Sequence, residues 1–130
     1  MDAYTKQVRS VLEYSTPVWH PGLTVQQSQQ IERVQNVCLQ IIQGDNYKTN
    51  SEGRTKLGLQ KLEDRRKDIC LKFGLKSLGH PNHQKWFVQN TQETNLRNQS
   101  KLKPTVHRTA RYQNSPIPYL TQIINQIPKK

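Results

Sequence analysis

Apolar residues recur along this chain at helical intervals, and they mark its elements before any other property is considered. Tyr4, Val8, Val11, Leu12 and Ser15 outline the inner face of a first helix from about Asp2, its N-cap, to Tyr14. Thr16-Pro17 ends it, because the residue before a proline is pushed out of the helical region. Trp19, His20, Pro21 and Gly22 make a reversal. A second helix is expected over Thr24–Gln43, opened by the capping box Thr24-Val25-Gln26-Gln27 and closed by Gly44. Its inward stripe reads Ile31, Val34, Cys38, Ile41 and Ile42, with glutamines on the other face.

Asn46, Asn50, Ser51 and Gly53 favour turns, so residues 45–58 are expected to hold one short helix near Ser51–Leu57, anchored by Leu57, Leu59 and Leu62. A third long helix is expected over Leu62–Leu78. One stripe reads Leu62, Arg66, Ile69 and Phe73; another reads Leu71, Leu75 and Leu78. Gly74 costs about 1 kcal/mol relative to Ala mid-helix, and close approach by another helix is the usual reason to keep it. Arg66 shares the apolar stripe, which points to pairing with Asp45 or Glu32. Trp86 and Phe87 dock inward from a short turn at Asn82–Phe87. Residues 89–114 carry few apolar groups and read as an extended basic arm with little packing of its own. Ser115 then caps a last helix beginning at Pro116, with Ile117, Leu120, Ile124 and Ile127 at helical spacing. The fold class is therefore all-α: three main helices in a small bundle over residues 1–88, an irregular basic arm over 89–114, and a short C-terminal helix and tail over 115–130.

Composition narrows the function classes. Only 32% of the residues are hydrophobic, against roughly 45–50% in an ordinary domain by a count that includes Gly; mean hydropathy is −0.91. A small core follows. The net charge is +11, a balance that favours polyanions. Residues 1–44 are net neutral, 45–88 carry +5 and 89–130 carry +6. No apolar run reaches the ~18 residues of a membrane span, and the N-terminus lacks the apolar core of a signal peptide. Two cysteines, Cys38 and Cys70, both in apolar stripes, fit buried thiols in a reducing compartment, cytoplasmic or nuclear.

Candidate chemistry is correspondingly narrow. Arg65, Lys72 and Lys76 recur at i, i+7 and i+11 on the third helix, preceded by Lys61. Arg108 and Arg111 lie in the arm with Lys101, Lys103, His107 and Tyr112. Cations one helical turn apart suit successive phosphates, giving affinity without sequence readout. The competing reading is a solvated face partly neutralised by Glu63, Asp64 and Asp68, with a disordered tail behind it. His80-Pro81-Asn82-His83 lacks the further ligands that zinc needs, and no nucleophile–base set is recognisable. No metal, cofactor, catalytic group or small-molecule substrate is expected. Trp19 and Trp86 read as packing residues before base-stacking ones.

Three blocks carry a resemblance: VRSVLEYSTPVWHPGLT with IERVQNVCLQIIQG, then LGLQKLEDRRKDICLKFGLKSL, then RYQNSPIPYLTQIIN. In this order, and over residues 8–125, they resemble the C-terminal region of the reverse transcriptases of jockey-like and related non-LTR retrotransposons. The resemblance implies the thumb and post-thumb region, helical and laid along template–primer duplex. The chain departs from the family at Gln40, where Arg is common, and at Asn50, Ser51 and Gly53, where a firmer helix is usual. No Asp-Asp pair on a strand hairpin is present, so the two-metal site of polymerisation is missing. Met1-Asp2 falls inside a helix that the family continues backward, and the expectation is a truncated copy of an element. The implied function is that of a non-catalytic fragment of an RNA-directed DNA polymerase that binds RNA or RNA–DNA duplex without sequence preference, with the upstream polymerase palm as a possible neighbour. The alternatives are a protein-interaction or self-association module and a remnant without function.

Overall fold

A computed structural model describes residues 1–91 and 101–128; the part of the expected arm at 92–100 lies outside the described residues. The chain is all-α. Its helices are α1 (Arg9–Glu13, preceded by a π-helical turn at Tyr4–Val8), α2 (Thr16–Trp19), α3 (Val25–Gln43), α4 (Asn50–Lys56), α5 (Leu62–Leu78), α6 (Ala110–Gln113) and α7 (Pro116–Asn125). Among the described residues there is no strand, only an isolated antiparallel bridge between Gln89 and Leu102. No described helix is long and apolar enough to cross a membrane.

The chain forms two compact units: Met1–Thr16 with Leu23–Asp68, and Pro17–Gly22 with Ile69–Lys130. The division falls inside α5, and the segments expected as arm and C-terminal helix both belong to the second unit.

The first unit is held as much by polar groups as by apolar ones. Tyr4, Leu39 and Leu62 are buried, and so are Thr16, Gln35 and Arg66. The Thr24 hydroxyl accepts from the Gln27 amide at 3.2 Å while the Gln27 side chain accepts from the Thr24 amide at 3.0 Å, which completes the expected capping box. Gly44 ends α3 with φ of 51°. The face that α3 turns inward, however, is Ser28, Glu32, Gln35, Leu39 and Gln43. Of the expected stripe, Ile31 and Cys38 are half-buried, whereas Val34, Ile41 and Ile42 are exposed. The physical reason is hydrogen bonding. The Gln35 amide donates to the Gln60 carbonyl at 3.1 Å, Gln43 donates to Gly53 at 2.9 Å, and Glu32 accepts the Glu63 amide at 2.7 Å, at the orphan-donor end of α5. Arg66 donates to the Ser28 hydroxyl at 2.7 Å. In the first helix Tyr4 is buried and Val8 and Leu12 are half-buried, but Val11 and Ser15 face outward, because Tyr14 leaves the helix and Ser15 adopts a left-handed φ of 50°.

Along α5 the buried positions are Leu62, Arg66, Cys70, Gly74 and Ser77, with Phe73 and Leu75 exposed. This line lies between the two stripes that apolarity alone predicts. The expected close approach at Gly74 is present: a Cβ there would sit 3.2 Å from Ile124 Cδ1 and 3.4 Å from Leu120 Cδ2 on α7.

The core of the second unit consists of Cys70, Phe87, Leu102, Leu120 and Ile124, with Leu78, Trp86, Tyr119 and Ile123 packed against it. Leu102 belongs to the arm, so the arm contributes to the core rather than lacking packing. Asn125 clamps it there: its Oδ1 accepts the Leu102 amide at 2.9 Å and its Nδ2 donates to the Leu102 carbonyl at 3.0 Å. Ser115 occupies the N-cap position of α7 with Pro116 at the first turn, but its hydroxyl donates back to the Tyr112 carbonyl at 2.5 Å instead of accepting from α7.

Candidate nucleic-acid interface

Charge divides along the same line as the fold. The first unit contains ten Lys and Arg against eight Asp and Glu. The second contains ten against one, and that one, Glu93, lies outside the described residues. The ion pairs seen among the described residues, Lys6–Asp2, Arg65–Glu13 and Lys67–Glu63, all belong to the first unit. Lys72, Lys76, Lys85, Lys101, Lys103, Arg108 and Arg111 of the second unit are exposed.

The six residues singled out in the sequence therefore have different surroundings. Lys61 is exposed immediately before α5. Arg65 is committed: its Nε donates to Glu13 Oε1 at 2.5 Å and its Nη2 to Glu13 Oε2 at 3.0 Å. This bond to the Glu13 carboxylate holds the guanidinium above its ordinary pKa, and the field of Asp68 acts in the same direction. Lys72 and Lys76 follow Asp68 on the same helical line, one turn apart, without an ion pair among the described residues. Arg108 and Arg111 lie on either side of the Thr109 cap of α6, whose hydroxyl accepts the Tyr112 amide at 3.3 Å.

Two features of the second unit escape a reading of the sequence. One is a cleft of about 350 Å³ between the arm and α7, lined among others by Pro104, His107, Gln113, Thr121, Gln122 and Gln126. Its size is at the low end for small-ligand sites. The other is a ladder of rings. The His83 and Trp86 ring centres are 4.2 Å apart with planes at 10°, and those of His80 and His83 are 4.4 Å apart with planes at 29°. Spacing of three residues through the turn that ends in the 3₁₀ segment Gln84–Trp86 produces this stack. Its sequence signal is the pair of histidines around Pro81, which reads only as a metal site that lacks further ligands. No group of three or more His, Cys, Asp or Glu side chains among the described residues could hold a metal ion.

Compared with protein-family models, curated proteins and solved structures, the chain matches none.

Proposed function

We propose that this chain is a non-catalytic nucleic-acid-binding module, of the kind found behind the polymerase core of a non-LTR retrotransposon reverse transcriptase, and that it acts in the cytoplasm or nucleus. Template–primer RNA or RNA–DNA duplex is its ligand, held through phosphates without base specificity. The observation that carries this reading is the concentration of cations in the second unit, where ten bases meet a single acid. A folded unit with that imbalance repels itself unless a polyanion neutralises it. Lys72, Lys76, Arg108 and Arg111 are the phosphate ligands, and Lys61, exposed just before α5, is a further cation; Arg65 contributes least because Glu13 already neutralises it.

The test is a salt titration of the full chain binding a labelled RNA–DNA duplex. The expected slope of log affinity against log salt is about −0.7 to −0.9 for each phosphate contact. A flat response, or no binding at low salt, overturns the reading.

A second reading rests on a specific feature of the first unit. Val34, Val37 and Ile41 of α3 recur at i, i+3 and i+7 and are 41%, 44% and 76% exposed. An apolar helical stripe in water fits a protein partner or a second copy of the chain. Sedimentation that shows concentration-dependent association, abolished by Ile41→Lys, supports it; a monomer at every concentration removes it.

A further inference from the structure

The ladder of rings has a direction. Two rings cannot both lie 4.2 to 4.4 Å over the same face of an imidazole, so His80 and Trp86 occupy opposite faces of His83. At one end Trp86 packs against the core of the second unit. At the other end His80 is exposed. The stack thus runs from core to solvent and terminates in an aromatic ring with one face covered and the other presented outward. The ring is also held in plane, since its Nδ1 accepts the Asn82 amide at 3.3 Å.

Cations surround this segment in sequence and structure. Lys76 lies one helical turn before His80, and Lys85 adjoins Trp86 in the 3₁₀ turn. The chain then pairs Gln89 with Leu102, and because Leu102 points into the core, its neighbours Lys101 and Lys103 point away from it. No described acid belongs to this unit.

We propose that His80, His83 and Trp86 form a stacking platform on which an unpaired nucleobase of a single strand lies against the outer face of His80, its backbone phosphates held by the surrounding lysines. This rests on the nucleic-acid reading above and narrows it. A base within a duplex already has both faces covered by its neighbours, so the platform favours a single-stranded stretch such as the template beyond a primer end. Stacking of this kind is tolerant of sequence, because every base has a π-face.

The experiment measures binding of the full chain to labelled short oligoadenylate, with ribose and deoxyribose strands in separate arms, and to a duplex of equal length at the same low salt. His80→Ala removes the outermost ring; His80→Phe keeps one. His80→Ala is expected to weaken single-strand binding on the order of tenfold and to leave duplex binding nearly unchanged, while His80→Phe restores single-strand affinity. Whichever sugar arm shows this loss and rescue identifies the strand. Single-strand binding that is indifferent to His80→Ala, or equal losses on single strand and duplex, overturns the platform and leaves the phosphate-binding reading standing. No binding to any nucleic acid overturns both. Because His80 is exposed, circular dichroism of both variants is expected to match that of the parent chain.

Discussion

Glu13 and Arg65, 52 positions apart in sequence, are joined by two parallel hydrogen bonds between carboxylate and guanidinium. The side chains are 14% and 29% exposed, so the pair is neither freely solvated nor sealed. Such a forked geometry is among the stronger charge-assisted contacts, and its half-buried setting places its worth between that of surface pairs and that of buried ones. Glu13→Gln is expected to lower the unfolding free energy by about 1–2 kcal/mol, read as a shift in the urea midpoint at constant slope. The raised pKa of Arg65 gives no pH window in the ordinary range. A cation whose folded value lies above its unfolded value keeps its contribution at every pH below the unfolded value.

Gly74 presents the opposite case, a contact defined by a missing side chain. Ala at this position adds about 1 kcal/mol of helix propensity but sets a methyl 3.2 Å from Ile124 Cδ1, inside a buried cluster. These effects roughly cancel for Gly74→Ala. Gly74→Val has no such compensation and is expected to cost about 2–3 kcal/mol through overpacking. Ile124→Val, which withdraws the colliding methyl, is expected to recover part of that loss, and a double-mutant cycle by chemical denaturation measures the coupling.

The contrast between Gly74 and Gln35 shows what was legible in the sequence. The spans of α3, α5 and α7, the capping box at Thr24, the stop at Gly44 and the close approach at Gly74 all depend on local chemistry, which a sequence displays directly; the helical turn Thr16–Trp19, where a helix end is expected, and α6 inside the arm are not legible there. The inward face of α3 does not. Gln35 is buried because the Gln60 carbonyl, 25 positions away, accepts from it, and Val34 and Ile41 turn outward as a consequence. Leu102 was hidden for the same reason: in a polar segment, only Asn125 on a distant helix fixes its backbone. Of the candidate site, the cations were visible as residue types. The partnership of Arg65 with Glu13 and the stacking of His80, His83 and Trp86 required three dimensions.

Tyr4 supplies a pH-dependent prediction. Its ring is buried and its hydroxyl has no hydrogen-bond partner among the described residues. Burial, with a smaller contribution from Cys38, pushes the phenol up to about 12. The folded value lies above the unfolded value of about 10, so the folded chain holds the phenolic proton more tightly. The resulting stability is fully present below pH 10 or so and is lost as pH rises from about 10 through 12, by at most about 2–3 kcal/mol. Tyr4→Phe is expected to remove this alkaline decline without lowering stability near pH 7, since the buried hydroxyl has no partner to lose among the described residues. Denaturation midpoints of both proteins at neutral and strongly alkaline pH check the difference, in which the titration of lysines cancels.

The Asn125 clamp predicts how firmly the arm is tied to α7. Asn125→Ala leaves both backbone groups of Leu102 without their partners at a buried site, at a cost of about 1–3 kcal/mol. Amide exchange at Leu102 is expected to accelerate in this variant more than exchange within α3, which belongs to the other unit. Equal acceleration in both places would show that the whole fold, and not the arm, has been loosened.

The two ends of the basic line on α5 are expected to respond differently when charge is removed. Arg65 already has its counterion in Glu13, whereas Lys72, one turn past Asp68, and Lys76 form no ion pair among the described residues. Counterion release requires a cation that is available to phosphate, and each such cation contributes about 0.7–0.9 to the salt slope. Lys72→Ala and Lys76→Ala are therefore each expected to lower the slope by roughly one such contribution. Arg65→Ala leaves the slope unchanged while reducing stability by leaving the half-buried carboxylate of Glu13 without its partner. Measured on one duplex across a salt series, a slope that falls with Arg65→Ala as much as with Lys76→Ala would mean that phosphate displaces the Glu13 carboxylate on binding. The pair would then be a resting state of the interface and not a permanent tie.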